Sequence, residues 1–98
     1  MEKKTILEKV DFILRTVIDH SINPEKISVI LDYTKEHSDN LVLGRVFGWS
    51  VSDYAIAALK WLNTEETNVA FDRIFSELSD QRKNEVNELI ERKIYTQY

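Results

Sequence analysis

Few residues in this 98-residue chain have types and spacings suited to chemistry. Two histidines, His20 and His37, stand beside the acids Asp19 and Glu36, near the expected ends of two helices. A zinc site needs three or four ligands at recognisable spacing. No third imidazole is available, and the chain has no cysteine, so no thiolate site or disulfide framework is possible. A histidine at a helix C-terminus ordinarily binds the last carbonyls and balances the dipole. Gly48-Trp49-Ser50-Val51-Ser52 has the outline of a nucleophile elbow, but that turn needs glycine two residues after the serine and a strand before it. Ser52 occupies the glycine position, and the preceding stretch reads as helical. There is no glycine-rich phosphate loop. The chain therefore reads as non-enzymatic, with no cofactor, metal or small-molecule substrate, and acting by macromolecular contact.

The stretch best suited to such contact runs from Asn40 to Leu62 and holds both glycines and both tryptophans. It reads as a short helix, a glycine turn and a longer helix. Gly44 stands where two crossing helices would touch, and Gly48 supplies the positive φ of the turn. Leu43, Phe47, Trp49, Tyr54 and Ala57 have the spacings to hold the pair together. Ser50 or Ser52 can cap the second helix, with Asp53 placed for a reciprocal bond to the Ser50 amide. On these residues the chain resembles bacterial helix-turn-helix and winged-helix DNA-binding domains, with the helix in NPEKISVILDYTKEH as the supporting element.

That resemblance implies a contact face between Arg45 and Leu62. In a DNA-binding version, Ser50, Ser52 and Lys60 reach phosphates or base edges, with Arg45 at the start of the region. In a protein-binding version, Trp49, Val51, Ala55 and Ile56 form an apolar patch. Val51, Ala55 and Ile56 have no hydrogen-bonding groups, and the plainer reading of these residues is core. The tryptophans likewise read first as core anchors, and as binding anchors wherever they are exposed.

The elements that must position this stretch are helical. One proline and two glycines leave little turn chemistry for sheets. Residues 4–20 carry Ile6, Val10, Ile13 and Val17 at helical spacing, flanked by Leu7, Phe12, Leu14 and Ile18. Asn23-Pro24 is a cap followed by a favoured first residue, opening a helix to about Glu36. His37 to Asn40 is a polar turn. Asn63-Thr64-Glu65-Glu66 opens a further helix through residue 78, and Ser79-Asp80 opens the last one. No hairpin chemistry follows the central stretch, which favours a wingless domain. Residues 95–98 read as a frayed tail. The expectation is all-α: one domain over residues 1–98, a compact bundle of five or six helices with a helix-turn-helix-like centre.

Charge and hydropathy bound the partners. The net charge is −4, and 31% of residues are charged. Nucleic-acid binders usually present a basic face. Residues 40–62 carry Arg45 and Lys60 against Asp53, the least acidic region but not a basic one. The alternative is a small acidic inhibitor or immunity-type protein, whose Asp32, Glu36, Asp39 and Glu65, Glu66, Asp72 would face a basic protein. No apolar run reaches the ~20 residues that span a bilayer, and the N-terminus is not a signal peptide, so a cytoplasmic setting is expected. The broad apolar face of the first helix implies a homodimer, with Phe12 as the residue left outside to make the contact.

Overall fold

A computed structural model of the chain describes residues 5–37 and 44–97. Five α-helices account for most of it: α1 (Ile6–Ile18), α2 (Pro24–Tyr33), α3 (Val51–Leu62), α4 (Glu65–Ser76) and α5 (Asp80–Arg92). Between α2 and α3 lies a small antiparallel hairpin of β1 (Arg45–Val46) and β2 (Trp49–Ser50), and a 3-10 turn covers Ile94–Gln97. The helices stop and start at the expected signals. Asn23 Oδ1 accepts from the Lys26 amide ahead of Pro24. Thr5, Ser50 and Thr64 each form a reciprocal cap with the residue three places on. Asn63 ends α3 in the left-handed conformation, which asparagine tolerates.

The hub is α3. Ten of its twelve residues are buried, and only Lys60 is fully exposed along it. A helix apolar on every side must be surrounded, and α1, α2, α4 and α5 all pack on it. Val10, Ile13, Leu14, Ile30, Phe71, Val86 and Leu89 from those helices complete the core.

Three expectations change. The central stretch is not helix, turn, helix over its described part: Arg45–Ser50 is a hairpin in register Val46↔Trp49, running directly into α3. Asn40 and Leu43 lie outside the described residues. The tail up to Gln97 is not frayed; its 3-10 turn packs on α1, with Ile94 and Tyr95 half-buried and Tyr95 against Trp61 at 5.0 Å between centroids. Phe12 is half-buried and meets Tyr33 of α2 edge-on at 6.2 Å, so it is covered within the chain. The residues of α1 left outside are Leu7 and Ile18. Among the described residues, no helix is long and apolar enough to cross a membrane.

Tyr54 ties α3 to the hairpin: it is fully buried, and its hydroxyl donates to the Val46 carbonyl at 2.8 Å. Burial, with Asp53 adjacent, holds this phenol well above its ordinary value of about 10. Above pH 10 the unfolded chain releases this proton while the folded chain keeps it. Stability is therefore complete below pH 10 and falls above it, by up to about 1.4 kcal/mol per pH unit. Tyr54→Phe is expected to cost about 1 kcal/mol at neutral pH, through the orphaned carbonyl, and to flatten the alkaline loss. Urea unfolding of both proteins between pH 8 and 11 measures each effect.

Candidate functional site

The most exposed large apolar side chain among the described residues is Phe47, 77% accessible at the hairpin tip. Its backbone explains why this is unusual. Phe47 and Gly48 have φ of 54° and 94°, the positive pair that a two-residue hairpin turn requires. Such turns favour asparagine, aspartate and glycine. A bulky aromatic there costs roughly 1 kcal/mol. A Cβ on Gly48 would meet nothing within 4 Å, so glycine serves the backbone there rather than making space.

The hairpin is clamped on every side of that tip. Arg45 Nη1 donates to the Gly48 carbonyl at 3.0 Å and reaches Glu85 Oε2 at 3.3 Å. Trp49 Nε1 donates to the Glu85 carbonyl at 3.0 Å. With the Tyr54 bond to Val46, residues 45, 46, 48 and 49 are each fixed to α3, α5 or one another. The Phe47 side chain alone stands out, at the edge of a groove of about 580 Å³ lined by Phe47, Trp49, Arg92, Ile94 and Gln97. The Arg92 guanidinium lies 5.4 Å over the Trp49 ring and pairs with Glu88 at 2.8 Å. The result is an aromatic prow beside an apolar trough, with one cation at its rim.

The residues expected at the contact face divide sharply. Val51, Ala55 and Ile56 are at most 2% exposed and form core, not an outer patch. Ser50 and Ser52 are fully buried and committed to structure. Ser50 caps α3, with the Asp53 amide on its Oγ at 3.3 Å and its own amide on Asp53 Oδ2 at 3.2 Å. Ser52 Oγ donates to the Thr34 carbonyl and accepts from Arg82 Nη2 at 2.8 Å. Arg45 is turned inward, its side chain 8% exposed. Trp49 is buried apart from its groove edge, and Lys60 is exposed, its ammonium 5.3 Å over the Phe71 ring. Only Trp49 borders the groove; Lys60 lies on a different surface of the hub helix.

Neither histidine joins a metal cluster; none exists among the described residues. His37 Nδ1 lies 3.3 Å from Ser50 Oγ, while Asp53 faces the Ser50 amide and Arg82. Sequence reasoning missed Phe47 as a surface residue and the half-buried Ile94 as a wall of the groove. The signal was an X-Gly pair between two short β-prone runs, masked because phenylalanine is a poor occupant of that turn. Comparison with protein-family models, curated proteins and solved structures found no match to this chain.

Replacing Phe47 by asparagine should stabilise the isolated protein by about 0.5–1 kcal/mol, since turn strain is relieved and little packing is lost. Gly48→Ala should destabilise by a similar amount. Thermal unfolding checks both. A Phe47→Asn protein less stable than the parent would mean the ring is held against the fold.

Proposed function

We propose that this chain is a small non-enzymatic interaction protein, which regulates a protein partner by inserting Phe47 into a pocket on it. The observation that carries this reading is the exposed aromatic at positive φ. A strained residue persists where the surroundings over-determine it, and such sites concentrate at ligand contacts. Buried aromatic anchors with an arginine at hand dominate the energetics of protein interfaces. The trough of Trp49 and Ile94 beside the ring receives the partner's own apolar side chain, and Arg92 stands at its rim.

The DNA-binding version of the reading is weaker. Ser50 and Ser52 are spent on the cap and on Arg82, which leaves Lys60 alone of the proposed groove-reading set. The inhibitor version keeps one supporting feature: Glu65, Glu66 and Asp72 are exposed on α4 around Val69, itself 65% exposed. A basic partner engaged by Phe47 would find steering charge there.

Capture from a host extract with the parent protein and with Phe47→Asn tests the reading. Any true partner should be lost about 30-fold in the variant, the effect of a 2 kcal/mol anchor, and should be retained between 0.1 and 0.5 M salt. Capture indifferent to Phe47, or binding to duplex DNA that falls steeply with salt, would contradict it.

A further inference from the structure

The charged groups around the hairpin are committed unequally. Arg45 is turned inward, its Nη1 shared between the Gly48 carbonyl and Glu85 Oε2. Glu85 is fully engaged as well: its other oxygen, Oε1, accepts from Gln81 Nε2 at 3.3 Å, and its carbonyl accepts from the Trp49 indole. Arg92 differs from both. Its guanidinium lies 5.4 Å over the Trp49 ring, and its side-chain hydrogen bond among the described residues runs from Nη2 to Glu88 Oε1 at 2.8 Å. The two side chains are 59% and 55% exposed, so this pair along one helix holds weakly. A guanidinium carries five N–H donors, and Glu88 occupies one of them.

Among the described residues lining the groove, Arg92 alone is charged; its companions there are Phe47, Trp49, Ile94 and Gln97. Glu88 pairs with Arg92 from one turn back on α5 without lining the groove, and the sequence neighbours Glu91 and Lys93 do not line it either. A side chain that enters the trough thus meets aromatic and aliphatic walls and one formal charge, which is positive. The Trp49 ring under that charge is fixed, by its indole bond to the Glu85 carbonyl and by an edge contact with Tyr54 at 6.4 Å between centroids. A guanidinium stacked on a ring keeps its N–H edge free for an acceptor in its own plane. The acceptor that matches both that fork and its charge is a carboxylate. An incoming ammonium would meet Arg92 first and would find Glu88 already paired.

We infer that the trough receives a partner segment in which a large apolar residue is followed directly by an aspartate or glutamate, whose carboxylate closes on Arg92. This rests on the reading that Phe47 docks into a protein, and it names the chemistry of the segment that meets the groove. Glu88 is the group displaced: it holds Arg92 in the free chain and yields it to the partner's carboxylate. The acid is a local requirement and leaves the partner's net charge open, so a protein steered by Glu65, Glu66 and Asp72 can carry such a segment.

Titration of the intact chain with acetyl-Gly-Phe-Asp-Gly-amide and its Asn and Lys counterparts tests this, read by the NMR shift of the Trp49 indole N–H, with circular dichroism to verify the fold of each variant. Peptides this small should bind in the low-millimolar range. The Asp peptide should bind about threefold more tightly than the Asn peptide, and the Lys peptide more weakly than either. That preference should vanish in 0.5 M salt and in Arg92→Gln, while the Asn peptide is little affected by salt. Glu88→Gln should tighten the Asp peptide about twofold and leave the Asn peptide unchanged. Glu65→Gln, the same change of net charge on α4, should do neither. Equal binding of the Asp and Asn peptides, a preference that survives Arg92→Gln, or no shift from any peptide at about 20 mM would overturn the inference. Each of those results leaves the Phe47 reading standing, because capture with Phe47→Asn decides that reading separately.

Discussion

Everything in this fold is arranged so that one carboxylate can be buried. Asp53 is fully inaccessible at the first turn of α3. Removing such a charge from water costs several kcal/mol unless it is paired and hydrogen-bonded. Arg82 of α5 supplies the charge at 3.1 Å, and the Ser50 amide at the end of β2 donates at 3.2 Å. The positive end of the α3 dipole adds to both. Arg82 also grips Ser52, whose hydroxyl and amide hold the Thr34 and Glu36 carbonyls at the end of α2. The hairpin, α2, α3 and α5 thus meet at one polar knot beneath an otherwise apolar hub. Apolar packing alone would let the outer helices slide around α3; the knot fixes one arrangement in which the Asp53 and Arg82 charges are paired through Nη2, while the buried Arg82 Nε has no partner among the described residues.

This constraint also decides which surface is left for contact. With the N-terminus of α3 consumed by its cap and by Arg82, that helix has no polar face to offer a groove. The hairpin is carried outward instead. Clamps from Arg45, Glu85 and Tyr54 hold its strands, and their combined hold keeps Phe47 at a backbone angle it would not choose. The buried knot thus supports a hairpin that holds Phe47 exposed at a strained backbone angle.

Much of the fold was legible in the residues. Asn23-Pro24, Thr64 and Ser79 marked helix starts by chemistry local to a few positions, and the reciprocal bonds of Ser50 and Asp53 were readable as a pair. The apolar spacing of α1 picked out Val10, Ile13 and Val17 as core, but Leu7 and Ile18 flanking that line stand exposed. What escaped notice depends on distance in sequence or on a broken local rule. Arg82 reads as part of a solvated face on α5, since its partners lie 29 and 30 residues earlier. Phe47-Gly48 breaks the usual composition of its turn, so the glycines suggested a helical corner. The apolar residues of α3 suit a hub and a contact patch equally; only the neighbours that surround it distinguish the two. The groove beside Phe47 shares Trp49 with the expected contact face, whose Ser50, Val51, Ser52, Ala55 and Ile56 are buried.

The direct test of the central knot is a double-mutant cycle on Asp53 and Arg82, using Asp53→Ala, Arg82→Ala and the pair together, read by chemical denaturation. The account predicts that each single change is strongly destabilising. The double change should cost about 2 kcal/mol less than their sum, because the second removes a partner already lost. It also predicts that exchange protection of the Trp49 indole N–H falls with Asp53→Ala, as the hairpin root loosens. Additive losses within about 0.5 kcal/mol, with the indole proton still protected, would contradict it.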